Sequence, residues 1–306
     1  MLNLDRSFFT PGYLEFYGKI NFLKGGLVLT DFLTTVSPTY AEEIKTAEQG
    51  FGLDGIFQER AHRLVGILNG VDYNTWNPEI DPFITRTYGL DSLPGKNLCK
   101  TDLQRIFRLD NNHGTPLIGM VSRLSAQKGL DLLQEAFDDL LSMDIQFVIL
   151  GTGDKPYQNA LVKLAIKYRT KLKVRIAFDE ALAHKIIAGS DLLLLPSRYE
   201  PCGLAQLYAL KYGTIPIVRA TGGLKDTIEE YDPGTGKGNG FVFVPYAPED
   251  FLKAVERAIS LFRRQEAWTT LIKNDMAADF SWAQSAKKYV DLYRKLLETS
   301  AGAFNA

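Results

Sequence analysis

The chain has 306 residues, enough for one large domain or two of ordinary size. Hydrophobic residues make up 45%, which supports a substantial core, and a formal net charge of −1 gives no overall attraction to nucleic acid or to an acidic membrane. Two cysteines, Cys99 and Cys202, form neither a disulfide framework nor a metal-ligand pattern, which fits a reducing, intracellular setting, and no run of about 18 apolar residues marks a membrane span.

The opening stretch MLNLDRSFFTPGYLEFYGKINF lacks the basic and continuous apolar segments of a signal peptide. It also lacks a first strand with its turn, and reads as the middle of a domain. INFLKGGLVLTD is predicted helical, FLTTVS a strand, YAEEIKT helical, and RLVGILNG a strand ending in an Asn-Gly turn. VDYNTWNPEIDP is irregular and rich in Pro and Asn, as linkers are, and places a domain boundary within 70–115.

A regular alternation begins near residue 115. LIGMVS (Leu117–Ser122) is a strand, followed by a helix over Gly129–Leu141; QFVILG precedes a helix over Tyr157–Tyr168. VRIAF precedes Ala181–Ala188, DLLLLPS precedes Leu204–Tyr212, IPIVRA precedes Leu224–Glu230, and GFVFV precedes Pro248–Arg263. These strands are apolar runs without polar alternation, as in a sheet covered on both faces. Six such units in succession predict an α/β, doubly wound parallel sheet. DPGTGKGNG (232–240) reads as a surface loop, and the C-terminal stretch is helical with a break near Asp279–Ser281.

Ligands of such sheets sit outside the carboxyl ends of the strands, so the loops that follow each strand carry the chemistry. SRLSAQKG places Arg123 and Lys128 across a strand end and a helix start. Two cations there suit a diphosphate, Arg as a fork and Lys as a point charge, or are a solvated surface pair. GTGD supplies Gly151 and Gly153, which let a backbone or a ligand approach. EPCG sets Glu200 before a helix, either as a cap or as an acceptor for sugar hydroxyls. Cys202 is a packed small side chain or a reactive thiol. Thr221, Gly222 and Gly223 open another helix with N–H groups that can bind phosphate or a sugar hydroxyl, or simply make a turn. His184 is predicted to be packed in a helix, while His62 and His113 have no partner pattern. No His, Cys or Asp cluster has metal-ligand spacing, so no metal site is expected. The chain contains neither G-x-G-x-x-G nor G-x-x-x-x-G-K-[ST], which counts against a dinucleotide-dependent dehydrogenase and a P-loop NTPase.

VSRLSAQKGLDLL, ILGTGD, LLLPSRYEPCGLAQLYALKYGTIPIVRATGGLKDT and DFSWAQSAKKYVDLY together resemble the bacterial glycogen synthase and plant starch synthase family. FLKGGLVLTDFLTTVSPTYAEEI and GILNGVDYNTWNP resemble the same family before and at its interdomain linker, so the likeness covers nearly the whole chain in order. It implies a GT-B fold with two Rossmann-like domains around a cleft. The expected division is 1–93 as a partial N-terminal domain and linker, 94–280 as the nucleotide-sugar domain, and 281–306 as a helix returning to the N-terminal domain.

The resemblance further implies retaining transfer of glucose from ADP-glucose to the non-reducing end of an α-1,4-glucan, without cofactor or metal. The implied partners are ADP-glucose or ADP and a glycogen or maltooligosaccharide primer, with no nucleic acid or membrane. The implied location is the cytoplasm, or the plastid stroma in a plant. Arg123 and Lys128 match the pair that neutralises the leaving diphosphate, and Glu200 the carboxylate facing the donor glucose. Cys202, Gly203, Leu204, Thr221, Gly222 and Gly223 match the donor pocket. Phe178 falls where relatives often carry tyrosine and would flank adenine, and Asn69 falls at the start of the linker, facing the donor. The family's Lys-x-Gly-Gly-Leu loop and the His-containing loop that follows it are absent; KGGL (Lys24–Leu27) lacks one residue and lies in an apolar helix. The chain therefore reads as a fragment without roughly the first third, expected to be aggregation-prone and to have little or no synthase activity. The alternatives are another GT-B glucosyltransferase using UDP-glucose, of sucrose synthase or trehalose-phosphate synthase type, and a non-catalytic nucleotide- or glucan-binding fragment.

Overall fold

The apolar runs after residue 115 become the strands of one parallel sheet. The computed structural model describes the backbone of residues 4–304 and side chains as far as residue 298. In chain order the first part holds a hairpin of β1 (Glu15–Phe16) and β2 (Lys19–Ile20), then α1 (Phe22–Leu29), β3 (Leu33–Thr35), α2 (Pro38–Glu43), α3 (Asp54–Glu59) and β4 (Leu64–Gly66). β3 and β4 pair in parallel as a separate two-stranded sheet. KGGL lies in α1, as expected, and Phe22, Leu23 and Leu29 of that helix are exposed. The hairpin was not legible in the sequence, because its strands are two residues long.

The second part begins with α4 (Pro94–Phe107). It continues with β5 (Leu117–Val121), α5 (Leu130–Ser142), β6 (Gln146–Gly151), α6 (Lys155–Lys167), β7 (Leu172–Ile176), α7 (Glu180–Gly189), β8 (Leu192–Leu195), α8 (Ala205–Lys211), β9 (Ile215–Arg219), α9 (Gly222–Thr227), β10 (Phe241–Phe243) and α10 (Pro248–Phe262). α11 (Gln265–Ala277) and α12 (Trp282–Phe304) end the described chain. The sheet order is β10-β9-β8-β5-β6-β7, all parallel, with the order reversing between β5 and β8. That reversal is the topological switch point at which open α/β sheets bind ligands. β6 is buried along its whole length, and α5 buries Leu130, Leu133, Phe137 and Leu140 at helical spacing against one sheet face. The helix anticipated from Leu224 starts two residues earlier, at Gly222.

The linker residues 71–93 pack on this second body. Val71 joins the core with Leu207 and Leu224, and Ile84 and Tyr88 pack beside Ile187 and Leu193. The chain crosses back beside its first crossing: Val71 N donates to Phe280 O at 2.7 Å, and Phe280 N donates to Tyr73 Oη at 2.9 Å. A Cβ on Gly70 would lie 2.3 Å from the Trp282 backbone, so only glycine lets the two crossings touch. α12 leaves Trp282, Val290, Tyr293 and Leu297 exposed.

The two parts are joined by a reciprocal pair of helix caps. Asp226 of α9 accepts from Ser37 Oγ, from Thr39 N at 3.0 Å and from Thr39 Oγ1 at 2.6 Å, at the start of α2. Glu43, at the end of α2, accepts from Thr221 Oγ1 and Gly222 N, each at 2.9 Å, at the start of α9. Each carboxylate meets the positive end of the other helix, where anions are favoured.

α4 carries charge into the core. Lys96 Nζ donates to Ala188 O at 3.0 Å and Thr214 Oγ1 at 2.6 Å, tying α4 to the carbonyl end of α7. Lys100 Nζ pairs with Asp191 at 2.6 Å and donates to His113 O and Thr115 O. Burial pulls the Lys96 ammonium down to about 8, against the opposing charge of Asp191. Asp275 is fully buried, neither of its oxygens has a hydrogen-bond partner among the described residues, and burial pushes its carboxyl well above the ordinary range despite the Lys96 charge. A group whose folded pKa is raised contributes most below its unfolded value of 3.8, and that contribution is lost as pH rises. Asp275→Asn should therefore raise stability at pH 7 by on the order of 2 kcal/mol and flatten the stability–pH curve above pH ~4, as read by urea melts. An equally steep curve in the variant would overturn the assignment.

Candidate active site

The loops after β5 and β8 meet at the switch point because small residues let their backbones touch. Gly129 adopts φ +77°, and a Cβ there would lie 2.0 Å from Pro196 O. A left-handed turn without a side chain thus ends the short 3-10 turn Ala126–Lys128 and holds it against the β8 loop. Lys128 Nζ then reaches Glu200 Oε2 at 2.5 Å. Ser197 Oγ donates to the same oxygen at 3.0 Å and is itself only 1% exposed. Glu200 is 5% exposed; its other oxygen, Oε1, carries no hydrogen bond among the described residues and is not sealed from solvent. The carboxylate is thus gripped on one oxygen and open on the other.

A cavity of about 480 Å³ covers this cluster. It gathers Asn69, Arg123, Lys128, Glu200, Cys202, Gly203 and Leu204. A second cavity of about 800 Å³ opens beside it and shares Val121, Ser122, Arg123 and Ala205 with the first. Its wall includes Gly151, Gly153, Phe178, Trp76 and Tyr208. The pair forms one cleft with a charged lobe and a more apolar lobe, and the exposed Arg123 stands at their boundary. Gly151 and Gly153 act through their missing side chains: a Cβ would meet Ser122 O at 1.9 Å and Leu124 O at 2.3 Å, where the two loops are zipped by Leu124 N to Thr152 O. Phe178 is 92% exposed, held by none of the core.

Thr221, Gly222 and Gly223 line neither lobe, and the expectation that their N–H groups stand free is not met. Gly222 N donates to Glu43, and Gly223 N donates to Glu200 O at 3.0 Å. A Cβ on Gly222 would lie 2.0 Å from Glu200 O, and one on Gly223 2.1 Å from Cys202 O. The two glycines sit behind the Glu200 loop and press it into place. Cys202 is buried, and burial pushes its thiol up, which keeps it a packed, unreactive side chain in the cavity wall. Arg198, also in this loop, pairs with Asp131 and stacks over Tyr246 at 4.5 Å, so its charge anchors the loop.

His184 is packed, as the sequence suggested. Its Nδ1 lies 2.8 Å from Asp81 Oδ2, and neither residue is more than 1% exposed. Ser197, Gln127, Glu43, Trp76 and Tyr208 were not singled out from sequence. Ser197 had a signal, since it stands in the same loop as Glu200, whereas Glu43 and Trp76 reach the site only through tertiary packing. Among the described residues no group of three or more His, Cys, Asp or Glu could hold a metal ion, and no helix is long and apolar enough to cross a membrane.

Residues 103–274 match the family model of glycosyl transferases group 1. The chain belongs to that family. Residues 1–59 match the starch synthase catalytic domain model. The chain is 53% identical over 301 residues to a glycogen synthase of Koribacter versatilis, covering 98% of this chain and 62% of that one. It is 49% identical over 298 residues to a glycogen synthase of Geobacillus stearothermophilus, covering 97% of this chain and 61% of the relative. It therefore spans less than two thirds of the relatives it matches. Among solved structures it resembles the catalytic domain of starch synthase IV from Arabidopsis thaliana, bound to ADP and acarbose, with 36% identity and a TM-score of 0.90 over 96% of this chain and 62% of that one. Sucrose-phosphate synthase from Thermosynechococcus elongatus, 18% identical with a TM-score of 0.60 over 88% of this chain and 59% of that one, shares the fold. The fold is of GT-B type, with a six-stranded parallel sheet among the described residues.

Proposed function

We propose that the cleft is the donor side of a glucosyltransferase that moves glucose from ADP-glucose to the non-reducing end of an α-1,4-glucan, as a glycogen or starch synthase does. The observation that carries this is the charged lobe: two cations, Arg123 and Lys128, and one open carboxylate, Glu200, at the carboxyl ends of the two strands flanking the switch point. In the transfer the bond between the glucose C1 and the diphosphate oxygen breaks, and its electron pair leaves with ADP. The acceptor hydroxyl oxygen bonds to C1, and its proton departs with the product diphosphate. Arg123 and Lys128 supply fixed positive charge where the leaving diphosphate gains negative charge. Glu200 Oε1 faces the sugar and favours positive charge developing at its ring. The apolar lobe takes the adenine, with Phe178 on its wall. The similarity to glycogen synthases and to a starch synthase solved with ADP and acarbose supports the same reading.

Calorimetry of the 306-residue chain tests it. ADP should bind at least about tenfold (1.4 kcal/mol) more tightly than UDP. Equal or tighter UDP binding would favour the UDP-glucose alternative, and binding of neither nucleotide would overturn the donor-site assignment.

A further inference from the structure

The apolar lobe has a wall that the sequence does not announce. Trp76 lies in the irregular segment between the two crossings of the chain. Its position is set by Asp72, whose carboxylate accepts from Asn74 N at 2.9 Å and from Thr75 Oγ1 at 3.4 Å, while Trp76 N donates to Asp72 O at 2.9 Å. The indole is sandwiched. One face lies on His184, with ring centroids 3.7 Å apart and 10° between planes, and the other on Tyr208, at 4.0 Å and 2°. His184 is in turn fixed by Asp81 and backed by Phe83 at 4.9 Å. The stack thus begins at a buried, hydrogen-bonded histidine and ends at Tyr208, a residue of the cavity wall. Phe178, on the same cavity, has no ring stacked on it among the described residues and is almost wholly exposed.

We propose that Trp76 is a positioning residue for the nucleotide base: it locks the Tyr208 ring so that the apolar lobe offers one rigid aromatic wall, against which the planar base rests. The inference rests on the nucleotide-sugar reading above. Both faces of the indole are covered, so Trp76 acts on the base through the Tyr208 ring it holds. Rigid aromatic surface binds a flat ligand with less ordering cost than a free ring does. A purely structural tryptophan would instead affect every ligand of the cleft alike.

The test is calorimetry on the whole chain with ADP and with inorganic pyrophosphate, for the natural chain, Trp76→Phe, Trp76→Leu, Tyr208→Leu and the Trp76→Leu/Tyr208→Leu double variant. Trp76→Leu should weaken ADP at least about tenfold and leave pyrophosphate, which needs only the cations, within about threefold. Trp76→Phe, which keeps a stacked ring, should stay within about threefold for ADP. The double variant should be no weaker than Tyr208→Leu alone, because the two act through one contact. Unchanged ADP affinity in Trp76→Leu, equal losses for ADP and pyrophosphate, or additive losses in the double variant would each overturn the inference while leaving the nucleotide reading intact. A natural chain that binds pyrophosphate but not ADP would overturn that reading, and this inference with it.

Discussion

Replacing both Arg123 and Lys128 by alanine should weaken ADP binding at least about 100-fold, or ~2.7 kcal/mol. The two cations are not equivalent. Arg123 is exposed at the junction of the two lobes, and among the described residues its side chain donates only to Gln127 Oε1, at 3.4 Å. It is therefore available to a diphosphate at little cost. Lys128 is already engaged with Glu200 at 2.5 Å. Its removal leaves a buried carboxylate held only by Ser197 on that oxygen, and an arriving diphosphate then meets an uncompensated negative charge. Lys128→Ala alone should for that reason weaken ADP more than Arg123→Ala alone. The Arg123 contribution should fade as salt rises beyond ~0.1 M, where screening shortens to below ~10 Å, and the half-buried Lys128 contribution should fade less. Calorimetry at two salt concentrations reads both effects. A double variant that binds ADP within threefold of the natural chain would remove the cation pair from the site, since neither side chain supports the core.

Asp81→Ala should destabilise the fold by about 3–5 kcal/mol, lowering the melting temperature by roughly 10 °C. Asp81 comes from the segment between the domains and is 1% exposed. Its Oδ2 accepts from Tyr212 Oη at 2.6 Å and meets His184 Nδ1 at 2.8 Å, and its Oδ1 accepts from Phe83 N at 2.9 Å. Burial pushes this carboxyl up, but the hydrogen bonds from His184, Tyr212 and Phe83 N together hold it below the ordinary range. Alanine would strand a phenol and an imidazole in the core, each without its acceptor. A depressed folded pKa contributes stability above the unfolded value of 3.8 that is lost as pH falls through the folded value. Asp81→Asn, which keeps an acceptor, should therefore cost only ~1–2 kcal/mol at pH 7 and show a shallower loss below pH ~4. Thermal melts of the two variants across pH decide the matter; a loss under ~1 kcal/mol for Asp81→Ala would mean that the cluster is dispensable. Because His184 also backs Trp76, melts run beside ADP titrations separate loss of fold from loss of the aromatic wall.

The six-stranded parallel sheet was legible in the sequence because both of its faces are covered. LIGMV and LLLL are wholly apolar, QFVILG and IPIVR carry a polar residue only at one end, and the helices between them carry a clear apolar stripe. The places of Arg123, Lys128 and Glu200 followed from the same pattern, since loops after parallel strands share one end of the sheet. Sequence reading failed at α4, whose buried face carries Lys96, Lys100, Asp102 and Gln104 and so hides its period. It also misplaced the freedom of Gly222, whose N–H is taken by Glu43 from α2, 179 residues away in sequence. By itself, then, the sequence determined the parallel sheet, the end of it at which the cleft opens, and the residue types waiting there, because local apolar periodicity and loop position are written along the chain. Only the tertiary structure decided which oxygen of Glu200 is held and which is open, which glycines line the cleft and which brace it, and that Trp76 stands in the wall. Those are matters of contact between segments far apart in the chain, and no local pattern records them.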